Sequence, residues 1–453
     1  MAQRDIEAGA TAAGSAPWYS GLTRKHWRVL WGSYLGWIFD GYEAFALILA
    51  LPPALNSLLT PEQVASSGAI YAGLAIGITL LGWGIGGLAG GVLADYFGRK
   101  RTMVIAVFFY ALLTGITAFS TSLTMLIAMR FLTGLAIGAE WSTGIALVAE
   151  SWPDKARPKG LGLLQSAFGA GAVMAAVIWF FLNMYQPLGD ETWRLLFVIG
   201  ALPGLCVFYL MRALEESERW LTAVREKRWE VIEGQPASAS ANSGKRPFTM
   251  TSLFRSPEAR RRLWLTFLMS LATTTGWWAV STWSPVYAEQ LAAAQGEPPG
   301  VWGARVALVY TLGGWIAYMS SGFVADWLGR RTYLLLLFAA SLVITWATYL
   351  WTGDLWTFSV LAFLNGVITL GFGFSWMAIY PVELFTSSVR STAASVVFNG
   401  ARLIAWVFPI IAGTLVANFG GITNAALIIS SIYVVGLFVP WFLPETVGKP
   451  LPQ

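Results

Sequence analysis

The sequence predicts an all-α integral membrane protein with twelve transmembrane helices in two pseudo-symmetric six-helix bundles. Composition is the first reason: 56% of the 453 residues are hydrophobic and only 12% are charged, too few charges to cover a soluble protein of this size. Apolar runs recur along the whole chain, each near the ~20 residues that cross ~30 Å of hydrocarbon as a helix. The chain also repeats itself at an offset of about 232 residues.

Twelve apolar runs with approximate ends form the predicted spans. They cover residues 29–55, 67–93, 102–120, 123–149, 158–184, 193–213, 263–290, 303–325, 332–352, 356–381, 391–417 and 422–442. Between the sixth and seventh runs the chain turns polar, and a middle rich in Ser, Ala, Gly and Pro is typical of a flexible linker. The predicted units are a tail over 1–28, a bundle over 29–213, a linker over 214–262, a second bundle over 263–442 and a tail over 443–453.

Lysine and arginine predict the orientation, because the cytoplasmic side of a membrane protein carries their excess. With the N-terminus inside, the inner side holds 25 of the 29 Lys and Arg residues, and the outer side keeps only Arg194 and Arg305. Both termini and the linker are therefore predicted to be cytoplasmic. The formal charge of +5 follows from this topology and does not indicate nucleic-acid binding. The N-terminus lacks a signal-peptide pattern, so the first span is expected to direct insertion.

Two pairs of segments carry the internal repeat. "GGVLADYFGRKRT" (90–102) returns as "SGFVADWLGRRTY" (321–333), and "ESWPDKARPKG" (150–160) returns as "ELFTSSVRSTA" (383–393). Each half holds six spans, and an even number gives parallel repeats related by an axis along the membrane normal. This organisation suits an alternating-access transporter whose site lies between the halves at mid-depth.

These motifs resemble those of the major facilitator superfamily. "GVLADYFGRK" is similar to its loop signature between the second and third helices, "GFVADWLGRR" to the copy between helices eight and nine, and "RFLTGLAIG" to its fourth-helix motif. "DGYEAF" resembles the first-helix "DGYD" pattern of aromatic-acid:proton symporters, with Glu43 in place of the second Asp. "GAEWSTGIALVAESWPDKARPKGLGLLQS" is similar to the lactate and sialate proton symporters. Both branches import organic anions together with protons.

The resemblance implies proton-coupled uptake of a small organic acid anion, of the aromatic or the mono-/hydroxy-carboxylate class, by alternating access. The expected partners are the anion, protons and the lipid bilayer of the inner or plasma membrane. A monomeric functional unit is expected, with a proton gradient and no cofactor. A proton-coupled sugar or drug transporter, an exporter, a facilitator and a transporter-like sensor are the alternatives. An enzyme is not predicted, because the single His26 and Cys206 offer little for a metal cluster or a catalytic dyad.

Two acids in the first span, Asp40 and Glu43, lie near the predicted membrane centre, where a carboxylate costs ~3 kcal/mol or more. Their spacing of three residues puts them on one helix face. Glu140 in the fourth span lies at nearly the depth of Asp40, and Arg130 can reach Glu43. In the resembling families a first-helix acid and a fourth-helix Arg form the coupling pair, which falls on Glu43 and Arg130. Glu43 is the predicted proton carrier, with Asp40 and Glu140 as the other candidates and a fixed ion pair as the alternative.

Arg402 is the predicted substrate-binding cation, since it lies ~16 Å into the eleventh span and an Arg at that depth is costly. A guanidinium can hold a carboxylate with two parallel hydrogen bonds; pairing with Asp40 is the alternative. Gln165 and Asn399 occupy corresponding places in the two repeats and are predicted either to bind substrate or to join helices. Five aromatic residues are candidates for the cavity, with packing or a lipid face as the alternative for each: Trp277, Trp278, Trp283, Trp376 and Tyr380.

The loop signature predicts a gate. Gly98 permits a tight turn, Arg99 follows it at the inner surface, and Asp95 can pair with a basic group such as Arg157. The resemblance implies that such pairs latch the cytoplasmic side while the outside is open; plain topology charge is the alternative. The corresponding residues of the second copy are Asp326 and Arg330.

Overall fold

The computed structural model describes residues 17–202, 204–205, 209, 212, 214–226 and 248–452, and within these ranges all regular structure is helical. Within these described ranges, twelve helices correspond to the predicted spans. They are α1 (Arg24–Leu58), α2 (Pro61–Phe97), α3 (Arg99–Thr117), α4 (Leu123–Ser151), α5 (Arg157–Tyr185), α6 (Trp193–Gly200), α7 (Pro257–Trp278), α8 (Pro299–Leu328), α9 (Arg330–Leu350), α10 (Leu355–Leu384), α11 (Arg390–Ala412) and α12 (Ile422–Phe442). In the part of the chain that the structure describes, ten of these helices, all but α6 and α7, are long and apolar enough to cross a membrane.

Local chemistry sets several helix ends. α1 begins after Thr23, whose backbone N–H donates to His26 at 2.8 Å, so the histidine forms part of a capping box. α2 ends and α3 begins at Gly98, which has a φ of 100°, and the equivalent Gly329 between α8 and α9 has a φ of 82°. Only glycine adopts such a backbone readily. The two copies of the loop signature therefore fold into equivalent turns.

The two halves meet along two helix pairs, α2 with α11 and α5 with α8. Glycine allows the closest approaches. A Cβ atom at Gly322 of α8 would collide with the Pro158 carbonyl of α5, and one at Gly171 of α5 would collide with the Ile38 carbonyl of α1. Small residues that bring backbones together are typical of membrane helix interfaces.

Two helices of the second half are irregular at the depth of the central site. α7 stops at Trp278 and is followed by a short 3₁₀ turn, Ser281–Trp283, and a second helix, Ser284–Ala294. α10 contains a π-helical stretch over Gly366–Phe372. Such stretches are frequently found at functional sites, and both interruptions adjoin residues of the cavity described below.

Three sequence-based predictions fall partly or wholly outside the described residues: most of the N-terminal tail, the position of Cys206 and the middle of the linker. The predicted all-α class is confirmed. The domain boundaries and the assignment of both termini to the cytoplasm stay predictions.

Candidate functional site

A cavity lies between the two halves of the molecule. Seven helices, α1, α2, α5, α7, α8, α10 and α11, contribute its lining. The lining residues are Trp37, Trp83, Gln165, Phe168, Trp277, Trp278, Tyr318, Leu370, Phe374, Phe398 and Arg402. The side chains leave room for little more than one water molecule, so a ligand enters only when the two halves move apart.

Arg402 is the cationic member of this lining. Its guanidinium lies 4.0 Å from the ring centroid of Phe398 and 4.7 Å from that of Trp83. It donates one hydrogen bond to the Phe398 carbonyl, and its Nε has no partner among the described residues. The side chain is 3% exposed. Aromatic faces stabilise a buried cation, but the described part of the chain provides no carboxylate to neutralise this one.

Aromatic rings form most of the wall. Trp141 stacks on Phe398 with a centroid distance of 3.6 Å and donates from its indole nitrogen to Gln165 at 2.9 Å. The indole N–H groups of two lining tryptophans, Trp37 and Trp83, have no acceptor among the described residues. The wall therefore offers flat apolar faces together with unused hydrogen-bond donors.

The predicted substrate residues divide into two groups. Arg402, Gln165, Trp277 and Trp278 line the cavity. The other four lie outside its lining: Asn399 bonds to Ser395 and packs against Gly87, Trp376 bonds to Thr273, Tyr380 bonds to the Pro444 carbonyl, and Trp283 packs in a separate apolar cluster. Sequence reasoning missed Trp37, Trp83, Phe168, Tyr318, Phe374 and Phe398.

Glu43 and Arg130 form a buried ion pair between α1 and α4. Nη1 of Arg130 donates to Oε2 of Glu43 at 3.0 Å, and each side chain is 1% exposed. Nη2 of Arg130 donates to the hydroxyl groups of Thr117 at 2.6 Å and Thr133 at 3.2 Å. The two residues that the motif positions select as a coupling pair are therefore in direct contact.

Asp40 and Glu140 form a second contact between the same helices. Both are almost fully buried, at 0% and 1% exposure, and their carboxyl groups lie against each other. Apart from the other carboxyl group of the pair, the four oxygens have no hydrogen-bond partner among the described residues. Gly36 makes room for this contact, because a Cβ atom there would collide with the Glu140 carboxyl. Asp40 is not the partner of Arg402.

Ion pairs close the end of the molecule at which α2 meets α3 and α8 meets α9, named here the latch end. Asp95 pairs with Arg99 at 3.1 Å across the Gly98 turn. It also accepts hydrogen bonds from the backbone N–H (2.9 Å) and the hydroxyl (2.6 Å) of Thr392 in the other half. Arg99 in turn pairs with Glu150 at 3.2 Å. Because Thr392 belongs to the second half, these bonds hold the two halves together.

Glu150 is shared between the halves, since Arg390 of α11 donates to it at 2.7 Å. In the second copy of the signature, Arg330 pairs with Asp326 at 2.9 Å and with Glu383 at 2.8 Å. The repeat of "ESWPDKAR" as "ELFTSSVR" already puts Glu150 in register with Glu383. Sequence reasoning nevertheless missed these acids and Arg390 as members of the latch end.

The predicted gate residue Arg157 pairs with Asp154 on its own side of the molecule. The basic group that crosses from α5 is Lys159, which pairs with Asp326 of α8. Beside them, Glu445 caps α9 by accepting from the backbone N–H groups of Arg330 and Arg331. Burial raises the pKa of Glu445, but these hydrogen bonds outweigh it and hold the pKa below its usual value.

A bundle of membrane helices in two related halves, with a buried cation in a cavity between them, defines a membrane transporter of the major facilitator fold. The family model described as "Sugar (and other) transporter" matches residues 43–453, so the chain belongs to that family. The predicted superfamily is confirmed, and membership of a transporter family agrees with the prediction that the chain is not an enzyme.

Two curated relatives match nearly the whole chain. A "Probable 4-methylmuconolactone transporter" of Cupriavidus pinatubonensis is 26% identical over 95% of this chain and 93% of the relative. A "Benzoate transport protein" of Acinetobacter baylyi is 27% identical over 88% of this chain and 85% of the relative. Among solved structures, the proton:xylose symporter XylE bound to 6-bromo-6-deoxy-D-glucose aligns with a TM-score of 0.73. It is 16% identical and covers 94% of this chain and 97% of that one, which shows a shared fold.

Proposed function

We propose that this transporter carries a small organic monocarboxylate, of the aromatic or the mono-/hydroxy-carboxylate class, into the cell together with protons by alternating access. One observation carries the proposal: Arg402 is buried in the central cavity without a carboxylate partner among the described residues. An unneutralised guanidinium is costly at this depth. The carboxylate of a substrate would neutralise it and accept two parallel hydrogen bonds.

The wall of the cavity supports an unsaturated or aromatic body for the substrate. Phe398 and Trp83 flank the guanidinium, and a flat ring stacks well against such faces. The indole N–H of Trp83 is an unused donor beside the cation. The names of the relatives, a methylmuconolactone transporter and a benzoate transport protein, agree with a substrate of this kind. A single cation in the lining favours one carboxylate over two.

Proton coupling is proposed for the Glu43–Arg130 pair. The affinity of a buried carboxylate for protons depends on its distance from a nearby guanidinium. A movement of α1 relative to α4 that lengthens the 3.0 Å contact would therefore load Glu43 with a proton, and the reverse movement would release it. The alternative is a fixed structural pair that does not titrate.

Alternating access is proposed to work through the latch end, on the side predicted to be cytoplasmic. The bonds of Thr392 to Asp95, of Arg390 to Glu150 and of Lys159 to Asp326 all join one half to the other. All of them would break when the cavity opens to the cytoplasm. The structure, with these bonds intact, would then be closed on that side.

A sugar is the second candidate, because the family description and the ligand of XylE point to sugars. The lining argues against it. Gln165 already accepts from Trp141, and the remaining wall consists of aromatic rings, Leu370, Tyr318 and the cation. The unused indole groups only donate, so few neutral acceptors are left to recognise several hydroxyl groups.

The test uses the purified protein in proteoliposomes with an imposed inward proton gradient. Benzoate, nicotinate, lactate and xylose are offered separately, and protein-free vesicles correct for the passive entry of protonated acids. We expect protein-dependent accumulation of a monocarboxylate that a protonophore abolishes. Accumulation of xylose without any acid, or acid uptake that ignores the proton gradient, would contradict the proposal.

A further inference from the structure

We propose that Asp40 and Glu140 form a second proton-binding site, separate from the Glu43–Arg130 pair, so that two protons accompany each monocarboxylate. This inference rests on the proposed function and deepens it. It assigns a stoichiometry and, with it, a dependence of transport on the membrane potential.

The first observation is that the acid pair lacks any positive counterpart. The two carboxyl groups contact each other, and no other described residue donates a hydrogen bond to their four oxygens. Two carboxylates in such a place cannot both be ionised, because burial and like-charge repulsion both oppose it. The pair therefore holds at least one proton in this structure, and one carboxyl group donates it to the other.

Among the described residues, the helices packed around the pair supply no unpaired positive charge that could neutralise it. On α1 the nearby titratable group is another acid, Glu43, and on α4 both terminal nitrogens of Arg130 are occupied by Glu43 and two threonines. Tyr110 of α3 lies in the apolar core, and a phenol brings no positive charge. The charged residues of α2, α3 and α5 lie at helix ends: Glu62, Asp95, Arg99, Lys100, Arg101, Arg157 and Lys159.

The second observation is that the two proton sites are distinct. Arg130 and Glu140 are ten residues apart on α4, or ~15 Å along the helix axis at ~1.5 Å per residue. Glu43 has a guanidinium as its partner, whereas Asp40 has a carboxyl group. When Glu43 releases its proton, the guanidinium of Arg130 still neutralises its negative charge. The second site can release its proton only when a conformational change admits water or moves the acids apart.

The third observation connects the acid pair to the cavity. Trp37 precedes Asp40 by one helical turn and lines the cavity. Trp141 follows Glu140 and stacks on Phe398, whose ring and carbonyl hold Arg402. One layer of aromatic rings therefore separates the carboxylate-binding cation from the acid pair. A substrate or an opening movement that shifts these rings changes the environment of both acids.

A polar route leads from the pair towards the latch end. Ser33 lies seven residues before Asp40 on α1, on the same helix face, and packs against Gly144 of α4. It is fully buried, and its hydroxyl has no partner among the described residues. This position allows Ser33 to pass a proton between the pair and the latch end when the cavity opens there.

The charge balance gives a measurable consequence. Two protons and one monoanion move one net positive charge inward, whereas one proton and one monoanion move none. A unit charge gains ~2.3 kcal/mol per 100 mV, and ~1.4 kcal/mol is a tenfold ratio. An inside-negative potential of ~60 mV should therefore raise the equilibrium accumulation of substrate about tenfold.

The experiment measures accumulation of whichever of benzoate, nicotinate and lactate the first assay shows to be transported. It uses proteoliposomes at one fixed proton gradient, with the potential clamped by potassium and valinomycin at zero or ~60 mV inside-negative. In the wild-type protein we expect the ~60 mV potential to raise accumulation about tenfold, a change called the step below. Asp40→Asn and Glu140→Gln should each lose the step but still respond to the proton gradient. Asp190→Asn, at an exposed aspartate, is the matched control and should keep the step.

The outcomes separate the two proposals. Wild-type accumulation that follows the proton gradient but ignores the potential overturns the second proton and leaves the proposed function standing. A full step in both Asp40→Asn and Glu140→Gln removes these residues from the second site, whatever the wild type shows. Failure of the wild type to accumulate any acid under a proton gradient overturns both proposals together. Substrate counterflow shows that each variant is folded.

Discussion

Replacing Arg402 with lysine provides the sharpest test of the substrate site, because it keeps the positive charge and changes only its shape. The guanidinium is planar, lies against the ring of Phe398 at 4.0 Å and that of Trp83 at 4.7 Å, and keeps Nε free of any partner among the described residues. A lysine ammonium is a point charge that cannot hold both carboxylate oxygens in one plane. The substitution therefore removes the planar arrangement of two hydrogen-bond donors but keeps the positive charge.

The expected loss follows from two terms. One charge-assisted hydrogen bond of the bidentate pair disappears, worth ~1.5–3 kcal/mol. Part of the cation–aromatic contact, ~0.5–2 kcal/mol in total, is weakened as well. A combined loss of ~2–3 kcal/mol corresponds to a Kd that is ~30–150-fold weaker. Arg402→Gln, which also removes the charge, should weaken binding further.

The assay is titration of the purified protein in detergent with the transported acid, followed by calorimetry. Arg305→Lys is the matched control, because Arg305 also lies against two tryptophans, Trp302 and Trp356, but outside the cavity. It should bind as the wild type does. Arg402→Lys should retain the thermal stability of the wild type. A Kd within twofold of the wild type in folded Arg402→Lys would refute the assignment of the carboxylate to this residue.

Three further predictions concern coupling, topology and the turn. Glu43→Gln should abolish accumulation driven by a proton gradient but preserve substrate exchange, since glutamine imitates the protonated acid; accumulation with the wild-type pH dependence would exclude Glu43 as the carrier. Ser240→Cys, in a Cys206→Ser background, should resist an impermeant thiol reagent applied to intact cells, and ready labelling would overturn the predicted topology. Gly98→Ala should destabilise the protein by ~1–3 kcal/mol because of its positive φ; Gly300→Ala, with open space around it, should not, and equal melting temperatures would contradict the strain.

The sequence contained enough information for the helical class and for the pairing of Glu43 with Arg130. Apolar run length depends only on the thickness of the bilayer, and an ionisable residue in such a run must find a partner. Depth counted along two antiparallel spans puts Arg130 nearer the outside than Glu43 but within reach of it, and the family resemblance selects these two residues as a pair. The same counting put Glu140 level with Asp40, but it could not show that their carboxyl groups touch.

The aromatic lining could not be predicted in the same way. Which tryptophan faces the cavity depends on the rotation of each helix about its axis, and this rotation is set by packing against neighbours. Trp37 and Trp83 line the cavity, whereas Trp376 turns to Thr273. The break after Trp278 and the π-helical stretch at Gly366–Phe372 further shift residue directions in the second half. The hydrophobic periodicity of the sequence does not indicate the break after Trp278 or the π-helical stretch.

The two halves share a fold but differ in the charged side chains at equivalent positions. Arg130 of α4 bonds to Thr117 of α3 and Thr133 of its own helix. The "RFLTG" and "AFLNG" segments align Arg130 with Ala362 and Thr133 with Asn365.

In the second half, Asn365 bonds to Thr348, the residue that corresponds to Thr117. Its amide donates to Thr348 of α9 at 3.1 Å, and its Oδ1 accepts from Thr369 at 2.8 Å. The neutral amide of Asn365 therefore takes the place, in the second half, of the ion pair in the first half. Among the residues that the structure describes, the buried Glu43–Arg130 ion pair lies in the first half, and the buried cation without a carboxylate partner lies in the second half. The proposed proton binding and the proposed anion binding would thus act on opposite sides of one interface, an arrangement that would allow each to bias the movement of the other.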